Sequence, residues 1–228
     1  MGNFLQYQFE EKVDFINEKD FPNIPYCLSP YEWRSYNSDY RDLTIIGNFI
    51  KEFRPTVVLE CGTFEGRGTE YIARKMIRYC PEPRTLITID AYDHIDHLNW
   101  DENLVTYNNP PGWEEVQDIR NTRMKLLLKY PKIKVVPLIG LTKTHLRSVL
   151  DTYDVQFIYQ DASHLTHILI EEWKLLMTCR LKEDLIICFD DMNGSEFAPW
   201  FKENVKGWYS MNSKASDRGQ MWVEQVDK

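Results

Sequence analysis

Five acidic residues of this 228-residue chain stand at the ends of short apolar runs: Glu60, Asp90, Asp161, Asp190 and Asp191. Such runs read as strands buried on both faces, and a carboxylate at a strand's exit can accept hydrogen bonds or face a cation. His164 follows Asp161 by three residues, which puts a group titrating near neutrality beside one of the acids. After Glu60 comes Cys61-Gly62-Thr63-Phe64-Glu65-Gly66-Arg67-Gly68-Thr69. Gly62 and Gly66 permit a tight turn and close approach of a ligand to backbone N–H groups at a helix start. The spacing is not Gly-x-Gly-x-x-Gly, and no glycine-rich phosphate cradle with Lys is present. A rim this acidic would repel a phosphate-rich dinucleotide. It suits a ligand with a positive charge, ribose hydroxyls, or a divalent metal.

The elements that must position these residues alternate along the chain. Strands are expected over 57–60, 86–90, 133–137, 155–161 and 185–190, with helices over 68–79, 116–129, 143–150 and 165–179 between them. A further helix over 42–53 precedes the first strand and ends at Arg54-Pro55. Strand–helix–strand alternation specifies parallel pairing with right-handed crossovers. Segments 208–211 and 220–226 read as a C-terminal antiparallel hairpin, since the polar stretch between them ends in Gly219. The expectation is one α/β domain over 1–228, a doubly wound, mostly parallel seven-stranded sheet closed by that hairpin. In such a sheet ligands lie at the carboxyl ends of the strands, where the strand order reverses.

Two segments fall outside this alternation. Residues 1–41 are aromatic-rich and read as a helical extension, serving either the core, a homo-oligomer contact, or a wall of the ligand pocket. Residues 91–115 join a strand to a helix over about 25 residues where about 2–6 are usual, so they are a candidate lid. That segment carries Trp100, Tyr107 and Trp113, which suit stacking on a sugar or other ring, or core packing. Its Asp93-His94-x-Asp96-His97 run reads as solvated loop polarity.

Net charge is −8 with no basic block, which argues against nucleic acid and anionic membranes. The apolar fraction of 43% is that of a packed globule rather than a disordered chain. Cys27, Cys61, Cys80, Cys179 and Cys188 are odd in number, scattered and without a Cys-x-x-Cys pair. They read as reduced core residues of a cytoplasmic protein. No signal-like N-terminus and no run of about 18 apolar residues is seen.

Over about residues 42 to 195 the chain resembles class I S-adenosylmethionine (SAM)-dependent methyltransferases, within them the catechol-type and macrolide-sugar O-methyltransferases. Glu60-x-Gly62-x-Phe64-x-Gly66 resembles their first motif. The resemblance implies a Rossmann-like methyltransferase fold, with Glu60, Gly62, Thr63, Phe64, Glu65 and Gly66 around the methionine part of SAM. It also implies that Asp90, with Ala91 beside it, takes the ribose hydroxyls. Gly140-Leu141-Thr142 corresponds to the adenine loop, where the family often has Gly-Asp-Ser.

Phe157 to His164 resembles the family's strand four, and Ile187 to Asp191 its strand five. By that likeness Asp161, Asp190 and Asp191 hold Mg²⁺, and His164 is the general base, with Asp161 sharing in catalysis. Three carboxylates in one pocket do not all stay ionised without a cation, and oxygen-only ligands favour a hard ion such as Mg²⁺. Asp190 and Asp191 are alternatively turn or capping residues, and His164 a backbone hydrogen-bonding one.

The reading that follows is transfer of the SAM methyl group to a sugar hydroxyl of a glycan or glycosylated small molecule. A catechol or phenolic O-methyltransferase is the near alternative; those enzymes usually carry Lys in place of His164. A metal-dependent hydroxylase and a non-catalytic donor-binding protein on the same scaffold are the more distant ones.

Overall fold

The computed structural model describes residues 40–91, 113–163, 165–181, 185–192, 196–212 and 219–224. Val57–Cys61 (β1) is flanked by Thr85–Asp90 (β2) on one side and Phe157–Gln160 (β4) on the other, all parallel. Lys134–Ile139 (β3) extends the sheet beyond β2, and Ile186–Phe189 (β5) extends it beyond β4. The resulting order β3-β2-β1-β4-β5 reverses direction at β1. Crossover helices supply the returns: Arg67–Tyr79 (α2), Trp113–Leu128 (α3), Thr142–Thr152 (α4) and Thr166–Thr178 (α5). Tyr40–Phe53 (α1) precedes the first strand. This is the expected doubly wound α/β arrangement of five parallel strands.

Gly219–Glu224 (β7) runs antiparallel to β5, and Trp208–Asn212 (β6) antiparallel to β7. The turn expected between them, 213–218, lies outside the described residues, as do 1–39, 92–112 and His164. The aromatic-rich extension and the greater part of the candidate lid therefore lie there too. Ala91 directly follows β2, and Trp113–Glu115 open α3 three residues earlier than the sequence pattern placed that helix.

Side chains alternate across the sheet, as strand geometry requires. Val58, Leu86, Val135, Phe157, Tyr159 and Cys188 pack with α1, α2 and α3 on one face. Leu59, Ile87, Ile158, Ile187 and Phe189 pack with α4 and α5 on the other. Phe197–Asn204 (α6), which the sequence reading did not anticipate, joins that second layer. Its eight residues are too few to hold a helix alone. Phe197 and Phe201 place their rings 5.4 and 5.3 Å from that of Phe189, and each such aromatic pair contributes about 0.5–1.5 kcal/mol. Cys61, Cys80, Cys179 and Cys188 are free thiols and buried. Among the described residues, no helix is long and apolar enough to cross a membrane.

Candidate active site

The reversal at β1 brings the exits of β1, β2 and β4 to one place. Gly62, at φ 99, donates its N–H to the Ile89 carbonyl at 2.8 Å, and Asp161 donates its own to the Cys61 carbonyl at 2.8 Å. A Cβ on Gly62 would lie 2.3 Å from the Asp161 carbonyl oxygen, so the two strand ends meet with no room for a side chain. The turn then passes through two further left-handed residues, Phe64 at φ 46 and Gly66 at φ 76, before entering α2.

Asp90 closes the turn from the side. Its Oδ2 accepts the backbone N–H groups of Thr63 and Phe64, each at 2.7 Å. Two charge-assisted bonds fix this carboxylate at the switch point, where the ribose role was expected. The Phe64 side chain is exposed, and Thr63 is buried with its hydroxyl 2.5 Å from that of Thr88.

Glu60 lies beneath the turn and is fully buried. Its Oε2 accepts from Thr69 at 2.5 Å and from Thr88 at 2.7 Å. Burial pushes its carboxyl from 4.5 up to about 7; the two threonine bonds partly offset the rise and the charge on Asp90 adds to it. Glu65 is also buried. Its carboxylate lies 3.7 Å from the Arg123 guanidinium of α3.

On the far side of β2, Gly140 donates its N–H to the Asp90 carbonyl at 2.8 Å. A Cβ there would meet His145 Nε2 at 2.7 Å. Leu141 caps α4 with no side-chain hydrogen bond. Thr142 turns inward. With Cys61, Gln160 and Glu172 it lines a small internal cavity. Gln160 Nε2 donates to Glu172 Oε2 there, and burial holds the Glu172 carboxyl at about 7, with Lys143 pulling it down and Glu171 up.

Asp161 and Asp190 are joined by a residue the sequence reading passed over. The Tyr159 hydroxyl lies 2.8 Å from Asp190 Oδ2 and 3.3 Å from Asp161 Oδ2. Tyr159 is two positions before Asp161 and hence on the same strand face, a spacing that was readable. Asp191 takes a left-handed backbone, φ 52, and is half-buried. Among the described residues no three His, Cys, Asp or Glu side chains are grouped to hold a metal. The expected trio therefore does not fit Mg²⁺ as a ready three-carboxylate site; two of its members share a tyrosine hydroxyl instead. Tyr159→Phe is expected to lower folding stability by about 1–3 kcal/mol, because Asp190 loses a buried donor. The loss should shrink by more than half in an Asp190→Asn background, read by thermal unfolding of the four-variant cycle. Equal losses in both backgrounds would show that the hydroxyl does not act through Asp190.

No family model and no curated protein matches the sequence. Solved structures do match in fold. The SAH-bound Podospora anserina methyltransferase PaMTH1 aligns over 84% of this chain and 80% of its own, at 12% identity and TM-score 0.56. The Streptomyces achromogenes O-methyltransferase TomG, in complex with SAM and involved in tomaymycin synthesis, aligns over 83% and 82%, at 13% and 0.51. The Bacillus cereus O-methyltransferase in complex with SAH aligns over 84% of each chain, at 16% and 0.51. The fold is the Rossmann-like methyltransferase fold that the sequence resemblance implied.

Proposed function

We propose that this chain is a SAM-dependent O-methyltransferase whose acceptor is a sugar hydroxyl of a glycan or glycosylated small molecule. The observation that carries the donor half is the Asp90 carboxylate gripped by Thr63 and Phe64 at the β1 switch point. The fold neighbours crystallised with SAM or SAH support it. In this reading Asp90 and Ala91 face the ribose, and Gly62 to Gly66 the methionine part. Gly140, Leu141 and Thr142 lie by the adenine.

The acceptor half rests on Asp161, Asp190 and His164. The acceptor oxygen attacks the sulfonium methyl in line, its C–O bond forming as the C–S bond breaks, and S-adenosylhomocysteine (SAH) leaves. His164 takes the hydroxyl proton, and Asp161 orients the acceptor. The family resemblance also implies Mg²⁺ at Asp161, Asp190 and Asp191, side chains that as they stand are not grouped to hold it. No step above is routed through the ion. We further take 1–228 as one cytoplasmic methyltransferase domain, its seven-stranded sheet completed by a β6–β7 hairpin. Residues 1–41 would be its extension, and 91–115, whose last three residues open α3, its lid.

The test is calorimetry with SAH, followed by mass spectrometry of methyl glycosides, nucleotide sugars and catechols incubated with SAM, with Mg²⁺ or with chelator. Methylation of a glycoside is the expected result, and its loss with chelator would restore the metal that the resemblance implies. Methylation of catechols alone would move the acceptor to phenols. No SAH binding would overturn the donor assignment.

A further inference from the structure

Arg123 of α3 reaches beneath the donor turn from a helix with no sequence motif of its own. Its Nη1 donates to the Glu65 carbonyl at 3.1 Å, and the same atom lies 3.7 Å from the Glu65 carboxylate. Its Nε stands 3.3 Å from Glu70 Oε2, and Glu70 in turn holds Arg74 at 2.5 Å. All four side chains are buried. The Arg123 stem also covers Gly66: a Cβ there would lie 3.7 Å from its Cβ and Cδ.

We propose that Arg123 is a positioning residue for donor binding, fixing the Glu65 peptide so that the turn presents Thr63 and Phe64 to Asp90. The proposal rests on the donor reading above. The Glu65 peptide sits between two residues with left-handed backbones, Phe64 and Gly66, a conformation that a bulky residue such as Phe64 holds only when its surroundings impose it. A charged donor on its carbonyl sets that orientation from outside the turn. One and two residues upstream, the N–H groups of Phe64 and Thr63 converge on one oxygen of Asp90. Tilting the Glu65 peptide moves those donors, and with them the carboxylate that would meet the ribose. Glu70 keeps Arg74 as a cation, whereas buried Glu65 faces the Arg123 guanidinium, so removing it acts on both the turn's shape and the charge balance at Glu65.

The test uses the full chain with Arg123→Lys, Arg123→Met and, as control, Arg84→Met. Arg84 ties the opposite end of the sheet, donating to the Cys80 carbonyl at 2.8 Å and the Lys132 carbonyl at 3.1 Å. SAH affinity is read by calorimetry, and amide hydrogen exchange is followed at Thr63 and Phe64. Arg123→Lys keeps the charge and loses the fork, so it should weaken SAH about tenfold and speed exchange at both amides. Arg123→Met should weaken SAH further. Arg84→Met should lower the unfolding midpoint with SAH affinity within about twofold of wild type. Wild-type SAH affinity and wild-type exchange in Arg123→Lys would overturn the proposal alone. No SAH binding by the wild-type chain would overturn it together with the donor reading.

Discussion

Gly62→Ala is expected to cost about 3–5 kcal/mol of folding stability and to abolish SAH binding. Two separate penalties meet at this position. The backbone stands at φ 99, where an L side chain is strained. The added methyl would lie 2.3 Å from the Asp161 carbonyl oxygen, 2.6 Å from its carbon and 2.9 Å from the Ala162 Cα. These are backbone atoms of the β4 exit, so no side-chain rotation relieves the contact. Moving them breaks the bond from Asp161 N–H to the Cys61 carbonyl and misaligns Asp161 with Tyr159. In a chain of this length the loss corresponds to a midpoint lowered by roughly 10 °C. Gly66→Ala is the internal comparison. It too has a left-handed φ, 76, but its Cβ would meet only Arg123 carbons at the ordinary 3.7 Å, so the cost should be about 1 kcal/mol. Equal midpoints for the two variants would show that the strand ends are not in contact at Gly62.

That contrast marks where the sequence was legible. The alternation of apolar runs with helical periodicity contains the parallel order, because a strand followed by a crossover helix has few ways to pair. Glu60, Asp90, Asp161 and Asp190 could be placed for the same reason: each ends an apolar run, and the fold collects strand exits. What could not be read was which way each side chain turns once there. Glu65 belongs to the motif that resembles a donor loop, yet its partner Arg123 is 58 positions later and follows no pattern. Asp190 and Asp191 are adjacent in sequence, but Asp190 is buried on the Tyr159 hydroxyl while Asp191 is half-buried with a left-handed backbone. Helix α6 escaped notice since it exists through Phe189, Phe197 and Phe201, a tertiary contact rather than a propensity. Tyr159 shows the opposite case, a residue whose period-2 relation to Asp161 was available and whose hydroxyl gives that relation chemical meaning.

The protein should lose stability as pH rises through neutrality, against the usual behaviour of carboxylates paired in a native state. Glu60 and Glu172 both have carboxyls raised from 4.5 to about 7, chiefly by burial. Between those values the native chain keeps protons that the unfolded chain has released, so stability falls with increasing pH over that window. The contribution is complete below about pH 4.5 and is lost as pH passes about 7. From about pH 5.5 to about pH 8 each group should cost roughly 2 kcal/mol. Together they should lower the unfolding midpoint by roughly 10 °C. Glu172→Gln isolates one of the two. The amide keeps an acceptor for Gln160 Nε2 and brings a donor toward Gln160 Oε1, a buried atom with no hydrogen-bond partner. The variant should match wild type near pH 5.5 and exceed its midpoint by several degrees near pH 8, where wild-type Glu172 is charged. Because Gln160 adjoins Asp161, while Thr142 and Cys61 line the same cavity, that charge loosens the support of the site from below. A wild-type midpoint that is flat or rising over this range would mean that water reaches both carboxyls and that neither is held neutral by burial.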